Sequence, residues 1–338
     1  MRAIILRKPL GAPSFHLAGL GSLGGALRRL PARCRRSQSL TRHSPPPSPP
    51  SCGITSNFPS CRPHYLPALT AAELASLPNK HRALVIIPAG AIEQHGPHLP
   101  VGVDAILAQA WLASVLPKLS ARAAKRVFVA PPITFGKSNE HDGFPGTVTI
   151  SARTLRRVLL ALAAELRAMG FRNIAVLNTH GGNSPVIVHT LREIQTTLGM
   201  RAAMLRPEVG LAKALYVAHS PPDFTPPSGA GDARSACPFG AALQNALEVK
   251  NDIHAGEWET SLMLACAPGL VRMDKAVCEN TAVLEKMEEA GARQAWMTRD
   301  ISESGVMGDA RLATADKGKF WMEVASSDMA GRIEVLLR

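Results

Sequence analysis

Residues 83–104 read ALVIIPAGAIEQHGPHLPVGVD. The run Ala83–Ile87 is short, continuous and apolar, and it stops at Pro88-Ala89-Gly90. That is the pattern of a strand buried on both faces that then enters a loop. A helical stretch follows from about Asp104 to Leu119. The same alternation repeats downstream. Val127–Ala130 is a second strand, stopped by Pro131-Pro132, and Ser151 caps a long helix to Met169 that ends at Gly170. Ile174–Leu177 is a third strand, followed by a glycine-rich loop, a helix over about 184–198 and a fourth strand over 202–205. Upstream, Thr70 caps a short helix in AAELASL. Downstream, Glu257–Ala265 resumes as a helix, and the last forty residues form a loop and a terminal helix. Strands alternating with helices predict an α/β fold: one three-layer domain with a mostly parallel central sheet flanked by helices.

Charge divides the chain. Of 338 residues, 38 are Lys or Arg and 26 are Asp or Glu, a formal net charge of +12. Ten of the basic residues lie before the first acidic one, Glu73, so the rest of the chain is close to neutral at +2. The expected organisation is a disordered Arg/Pro/Ser-rich leader over 1–66 and a folded domain over 67–338. A segment over 219–250, rich in Pro, Gly and Ser, reads as a lid or loop excursion. Three origins fit the leader: an organelle transit peptide, a stretch translated from a misplaced start codon, or a basic arm touching nucleic acid or acidic lipid. The corresponding location is the cytoplasm, or an organelle matrix if the leader is a transit peptide. The near-neutral body gives no reason to expect nucleic-acid binding, and no run of about 18 apolar residues offers a membrane span. None of the six cysteines forms a CxxC pair, so neither a thiolate zinc site nor a disulfide framework is indicated.

The chemistry-bearing residues fall in four loops. The first holds Glu93, His95, His98 and Asp104, just past the carboxyl end of a strand, where α/β folds place their sites. The second, NTHGGN at 178–183, puts His180 at the end of another strand. The third, IHAGEWETS at 253–261, carries His254, Glu257 and Glu259 around a helix start. The fourth, KSNEHDGFPGT at 137–147, carries Glu140 and His141. Each residue alone has a plainer explanation: a solvated carboxylate, a satisfied histidine, or acids favouring a helix dipole. Together they make a carboxylate and imidazole set without sulfur. That set suits Zn²⁺, Mn²⁺ or Fe²⁺, with Asp104 able to bridge two ions, and the reaction class is metal-assisted hydrolysis. No G-x-S-x-G elbow and no G-x-G-x-x-G after the first strand of the body supports a serine hydrolase or a dinucleotide-binding reading.

Taken in order, GAIEQHGPHLPVGVD, EHDGFPGT, NTHGGN, HAGEWETSLML and GDARLATADKG resemble the creatininase (creatinine amidohydrolase) family and span nearly all of residues 80–320. The resemblance implies an α/β fold, two divalent metal ions and homo-oligomeric assembly. By matching positions it implies Glu93, His95, Asp104 and His180 as metal ligands, with Asp104 bridging, and His254 as the residue that handles the proton of the leaving nitrogen. One position departs. Creatininase proper carries Tyr-Glu directly after the ligand histidine, and this chain has Gly181-Gly182. The expectation drawn from that departure is that Glu257, close to His254, supplies the missing carboxylate. Glu140 and His141 are expected on the substrate side. The expected activity is hydrolysis of a C–N amide bond in a small cyclic amide, formamide or related molecule, outside peptides. The alternatives are creatinine hydrolysis proper, a peptidase-like member, or a non-catalytic metal-binding protein of the same fold.

Overall fold

The computed structural model describes residues 64–207, 252–279 and 295–338. All of them belong to one compact unit over 49–338. Nearly all of the leader and the whole 219–250 excursion lie outside the described residues.

The core is a four-stranded parallel sheet: β1 (Leu84–Ala89), β2 (Val127–Val129), β3 (Asn173–Asn178) and β4 (Arg201–Leu205), in the order β2-β1-β3-β4. β1 is central, and all six of its residues are buried. This is the continuous apolar strand that a sheet covered on both faces requires. Alternation along it divides the core. Leu84 and Ile86 join one apolar cluster with Val127, Val129, Ala175 and Leu177. Val85, Ile87 and Ala89 join another with Phe128, Ile174 and Val176.

Helices close both faces. On the second cluster lie α4 (Ala152–Ala168), through Leu155, Leu159 and Ala163, and α5 (Ser184–Leu198), through Ile187, Leu191 and Ile194. The short α1 (Ala71–Ser76) adds Leu74 to that side. On the first cluster lie α2 (Val103–Val115), with Leu107, Trp111 and Val115, and the two helices of the carboxyl-terminal third. These are α6 (Glu257–Cys266) and α8 (Ala315–Leu336), which supply Leu262, Met263, Trp321 and Met329. Two one-turn helices, α3 (Ala121–Ala124) and α7 (Thr298–Ile301), and a two-stranded pair of β5 (Cys278–Glu279) with β6 (Gly308–Asp309) complete the described α-helices and strands. The result is the expected three-layer α/β arrangement.

The predicted helix starts have their physical causes in place. Thr70 forms a capping box with Glu73, and Ser151 Oγ accepts the Thr154 N–H at 3.0 Å. Gly199 ends α5 at φ +60°. The one bound that moves appreciably is the end of α2. Pro117 follows it in a single 3₁₀ turn, Leu116–Lys118, so the α-helix proper stops at Val115.

Candidate metal centre

The site gathers at the carboxyl ends of β1 and β3. Past β1, the loop 90–102 returns to open α2. At Gly90 an added Cβ would lie 2.8 Å from the backbone of Asp104, so only glycine lets the two segments approach this closely. The far end of β3 is tied to the same place, because Thr179 Oγ1 donates to the Asp104 carbonyl at 2.9 Å. Asn178 and Asn183 brace the NTHGGN loop by donating to the His180 carbonyl (2.7 Å) and the Gly90 carbonyl (3.0 Å).

Three histidines are oriented by backbone carbonyls, which only accept, so the partner fixes the tautomer. His95 Nδ1–H donates to the Glu93 carbonyl (3.1 Å), and His180 Nε2–H to the Lys137 carbonyl (2.9 Å). His254 Nε2–H donates to the Gln94 carbonyl (2.8 Å). In each case the other ring nitrogen is turned toward carboxylates. His95 Nε2 lies 3.7 Å from Asp104 Oδ1 and 3.7 Å from Glu259 Oε2. His180 Nδ1 lies 3.1 Å from Glu93 Oε1 and 3.4 Å from Asp104 Oδ2. His254 Nδ1 lies 3.8 Å from Glu93 Oε1.

These spacings suit a cation. Nitrogen and oxygen ligands at about 2.1 Å from one tetrahedral ion lie roughly 3.4 Å from one another. Two ligand groups form on this basis, Glu93–Asp104–His180 and His95–Asp104–Glu259, and Asp104 is common to both; a third grouping, Glu93–His95–His254, overlaps them. Glu93 Oε2, Asp104 Oδ2 and His95 Nε2 are buried without a hydrogen-bond partner. Orphan acceptors at such density carry a large desolvation cost that a cation offsets.

The electrostatics agree. Burial, together with the charge of Glu93, pushes the Asp104 carboxyl well above its usual range. Burial acts the same way on Glu93, but the hydrogen bond and charge of His180, with His95 and His254 behind it, win and hold it far below. His180 is desolvated too, yet its bond to Glu93 and the charge of Asp104 raise it to about 10. His254 is lowered by burial and by His95, and His141 falls to about 3 by burial and the neighbouring His254. Both of these rings are therefore neutral.

The sequence-derived residues divide as follows. Glu93, His95, Asp104, His180 and His254 come together. His141 joins them: its Nδ1 accepts from Gln94 Nε2 (2.9 Å), which leaves Nε2–H facing Glu93 Oε1 at 3.5 Å. Glu140 lies behind His180, with Oε1 3.5 Å from Nε2, and pairs with Lys137 at 3.5 Å. His98 turns away and meets Thr260 Oγ1 at 2.8 Å. The expectation for Glu257 is corrected. Its Oε1 lies 2.6 Å from Lys317 Nζ on α8, and Glu259 faces the cluster instead. Residues two apart on a helix point about 200° apart, so both carboxylates could not reach one site. Glu259 is further fixed by the Ala255 N–H, which donates to Oε2 at 2.6 Å, and Ala255 holds a left-handed φ of +53°. The orienting roles of Gln94 and the Lys137 carbonyl were invisible in the sequence, because backbone acceptors carry no residue signature.

A family model described as creatininase, creatinine amidohydrolase, matches residues 67–333. The chain belongs to the creatininase family. It is 32% identical over 240 residues to the mycofactocin precursor peptide peptidase of Mycolicibacterium smegmatis, covering 70% of this chain and 78% of that protein. It is 28% identical over 259 residues to the creatinine amidohydrolase of Pseudomonas putida, covering 74% and 88%. A crystal structure of creatinine amidohydrolase matches the fold with a TM-score of 0.60 at 22% identity, over 80% of this chain and 97% of that one. A zinc–zinc form of a creatininase variant matches at 0.59 and 22% identity, over 80% and 97%. A Cβ at position 182 would lie 1.9 Å from Glu140 Oε1, so the Glu140 carboxylate fills the space that a side chain there would enter.

Proposed function

We propose that the protein is a dinuclear metal-dependent hydrolase of C–N amide bonds. The observation that supports this most is the pair of carboxylate–imidazole groups sharing buried Asp104. Glu93, Asp104 and His180 would hold one ion, and His95, Asp104 and Glu259 the other. Two divalent ions of the Zn, Mn or Fe class, when bound there, would supply a Lewis acid for the amide carbonyl and lower the pKa of water.

The chain's own residues do the rest. His254 is held by the Gln94 carbonyl with its Nδ1 lone pair free, and its ring lies 4.3 Å, centroid to centroid, from both His95 and His141. It accepts a proton at Nδ1 and passes it to the departing nitrogen. His141, kept neutral, turns Nε2–H toward Glu93 Oε1 at 3.5 Å. Glu140 and Lys137 brace the outer side of His180, as partners behind metal-ligating histidines do.

The proposed substrates are small amides: cyclic amides, formamides or creatinine itself. A second reading, a peptide amide, is favoured by the 32% identity to a mycofactocin precursor peptide peptidase. Homo-oligomeric assembly and a cytoplasmic or organelle-matrix location belong to the same proposal. Among the described residues no helix is long and apolar enough to cross a membrane. The deciding assay is a panel of creatinine, lactams, formamides and short peptides with Zn²⁺, Mn²⁺ and Fe²⁺, run on the wild type and on His180→Ala. The substitution should abolish both metal uptake and turnover. Full turnover with normal metal content would exclude the assignment.

A further inference from the structure

Each strand of the sheet starts from an arginine. Arg82 lies two residues before β1, Arg126 and Arg172 immediately precede β2 and β3, and Arg201 is the first residue of β4. The parallel register sets Leu84 beside both Val127 and Asn173, and Asn173 beside Arg201. The four arginines therefore arrive at one edge. This edge is opposite the metal centre, about 17 Å away along the length of β1.

There, with Arg338, they line a cavity of about 360 Å³ whose wall, among the described residues, contains five arginines and no acidic side chain. A second cavity of about 200 Å³ shares Arg82, Arg126 and Arg338, adds Arg122, and holds one acid, Glu334. Glu334 is already engaged, because its Oε1 accepts the Ser120 N–H at 2.9 Å. The sequence beyond residue 72 carries a net charge of only +2, so this concentration is local.

Two of the guanidiniums are fixed in place. Arg126 donates to the Arg82 carbonyl (Nε, 3.0 Å) and the Leu337 carbonyl (Nη2, 2.8 Å). Arg172 Nη1 donates to the carbonyls of Arg167 (2.8 Å) and Phe171 (2.7 Å). Asn173 Nδ2 holds the floor by bridging the His81 and Ala83 carbonyls, each at 3.0 Å. Burial and the nearby charges of Arg82 and Arg122 disfavour the charged form of Arg126.

We propose that this arginine-lined cavity binds a phosphate-bearing small molecule, remote from the metal centre. Guanidinium forks match phosphate oxygens two at a time, and several converging forks favour a polyanion over a single charge. A cavity of a few hundred cubic ångströms suits a small ligand.

The test uses the full chain in 0.15 M salt, with calorimetric titration and thermal unfolding against pyrophosphate, inorganic phosphate and citrate. Pyrophosphate should bind and raise Tm, and phosphate and citrate should each bind more weakly. The double variant Arg82→Ser/Arg201→Ser removes two exposed side chains that support no backbone carbonyl, and it should weaken pyrophosphate binding at least tenfold with metal content unchanged. Arg201→Lys, which keeps the charge and loses the fork, should give an intermediate loss and serves if the double variant does not fold. Equal affinity in wild type and variants would place binding elsewhere, for instance on the arginine-rich first 62 residues, and would overturn the proposal. So would citrate binding as tightly as pyrophosphate, or no response to millimolar pyrophosphate.

Discussion

Glu257 and Glu259 make a controlled comparison, because they sit two residues apart on one helix and meet different partners. Glu259→Gln removes a carboxylate from the His95–Asp104–Glu259 group. Losing even an outer partner of a metal ligand typically costs 10- to 100-fold in affinity. A direct ligand should reach at least the upper end, about 100-fold or about 2.7 kcal/mol for one ion. Glu257→Gln instead breaks the pair with Lys317, whose side chains are only 19% and 11% exposed. Breaking a buried pair costs about 3–5 kcal/mol, but Lys317 keeps the Leu312 carbonyl at 2.8 Å, so about 2 kcal/mol is expected. In a body of this size that lowers Tm by about 3–4 °C. Metal content by mass spectrometry, chelator competition and thermal unfolding on both variants decide the matter. Glu259→Gln should lose affinity for one ion with little change in the stability of the metal-free fold. Glu257→Gln should lose stability and keep both ions. The reverse pattern would refute the helix phase described above.

Three further outcomes follow from the same geometry. Gly182→Ala drives a methyl group into Glu140 Oε1, His180 Nε2 and the Lys137 carbonyl, so it should cost about 1–3 kcal/mol by denaturant unfolding and weaken metal uptake by turning His180. In chelator-stripped protein, the His180 pKa raised to about 10 adds stability that is fully present below about 6.5 and lost as pH rises through 10. The lowered Glu93 pKa adds stability present above about 4.5 and lost below it; Tm against pH reads both. Metal entering beside His180 displaces that proton, so metal affinity should rise with pH below 10, with protons released in unbuffered titration.

The fold was legible because its signals are local. Ala83–Ile87 and Ile174–Leu177 are continuous apolar runs, and Thr70, Ser151 and Gly199 mark helix ends by their own chemistry. The site was legible where its residues share a loop with a strand end, as Glu93, His95 and His180 do. It failed at α6. Sequence fixes that Glu257 and Glu259 lie on nearly opposite sides of a helix. Which side meets the cluster is decided by how Leu262 and Met263 pack into the core and by where Lys317 lies on α8, sixty residues along the chain. The place of the Glu140 carboxylate beside Gly182 was not legible, because a motif cannot show which side chain fills the space a glycine leaves.

The central claim is that Asp104 is shared by two ions. Metal content per chain, measured on the purified full chain and on Asp104→Asn after equilibration with excess Mn²⁺ or Zn²⁺ and desalting, tests it directly. Two equivalents are expected in the wild type, and both should be lost in the variant. Retention of one tightly held equivalent in Asp104→Asn would contradict the bridge, and retention of two would contradict the site.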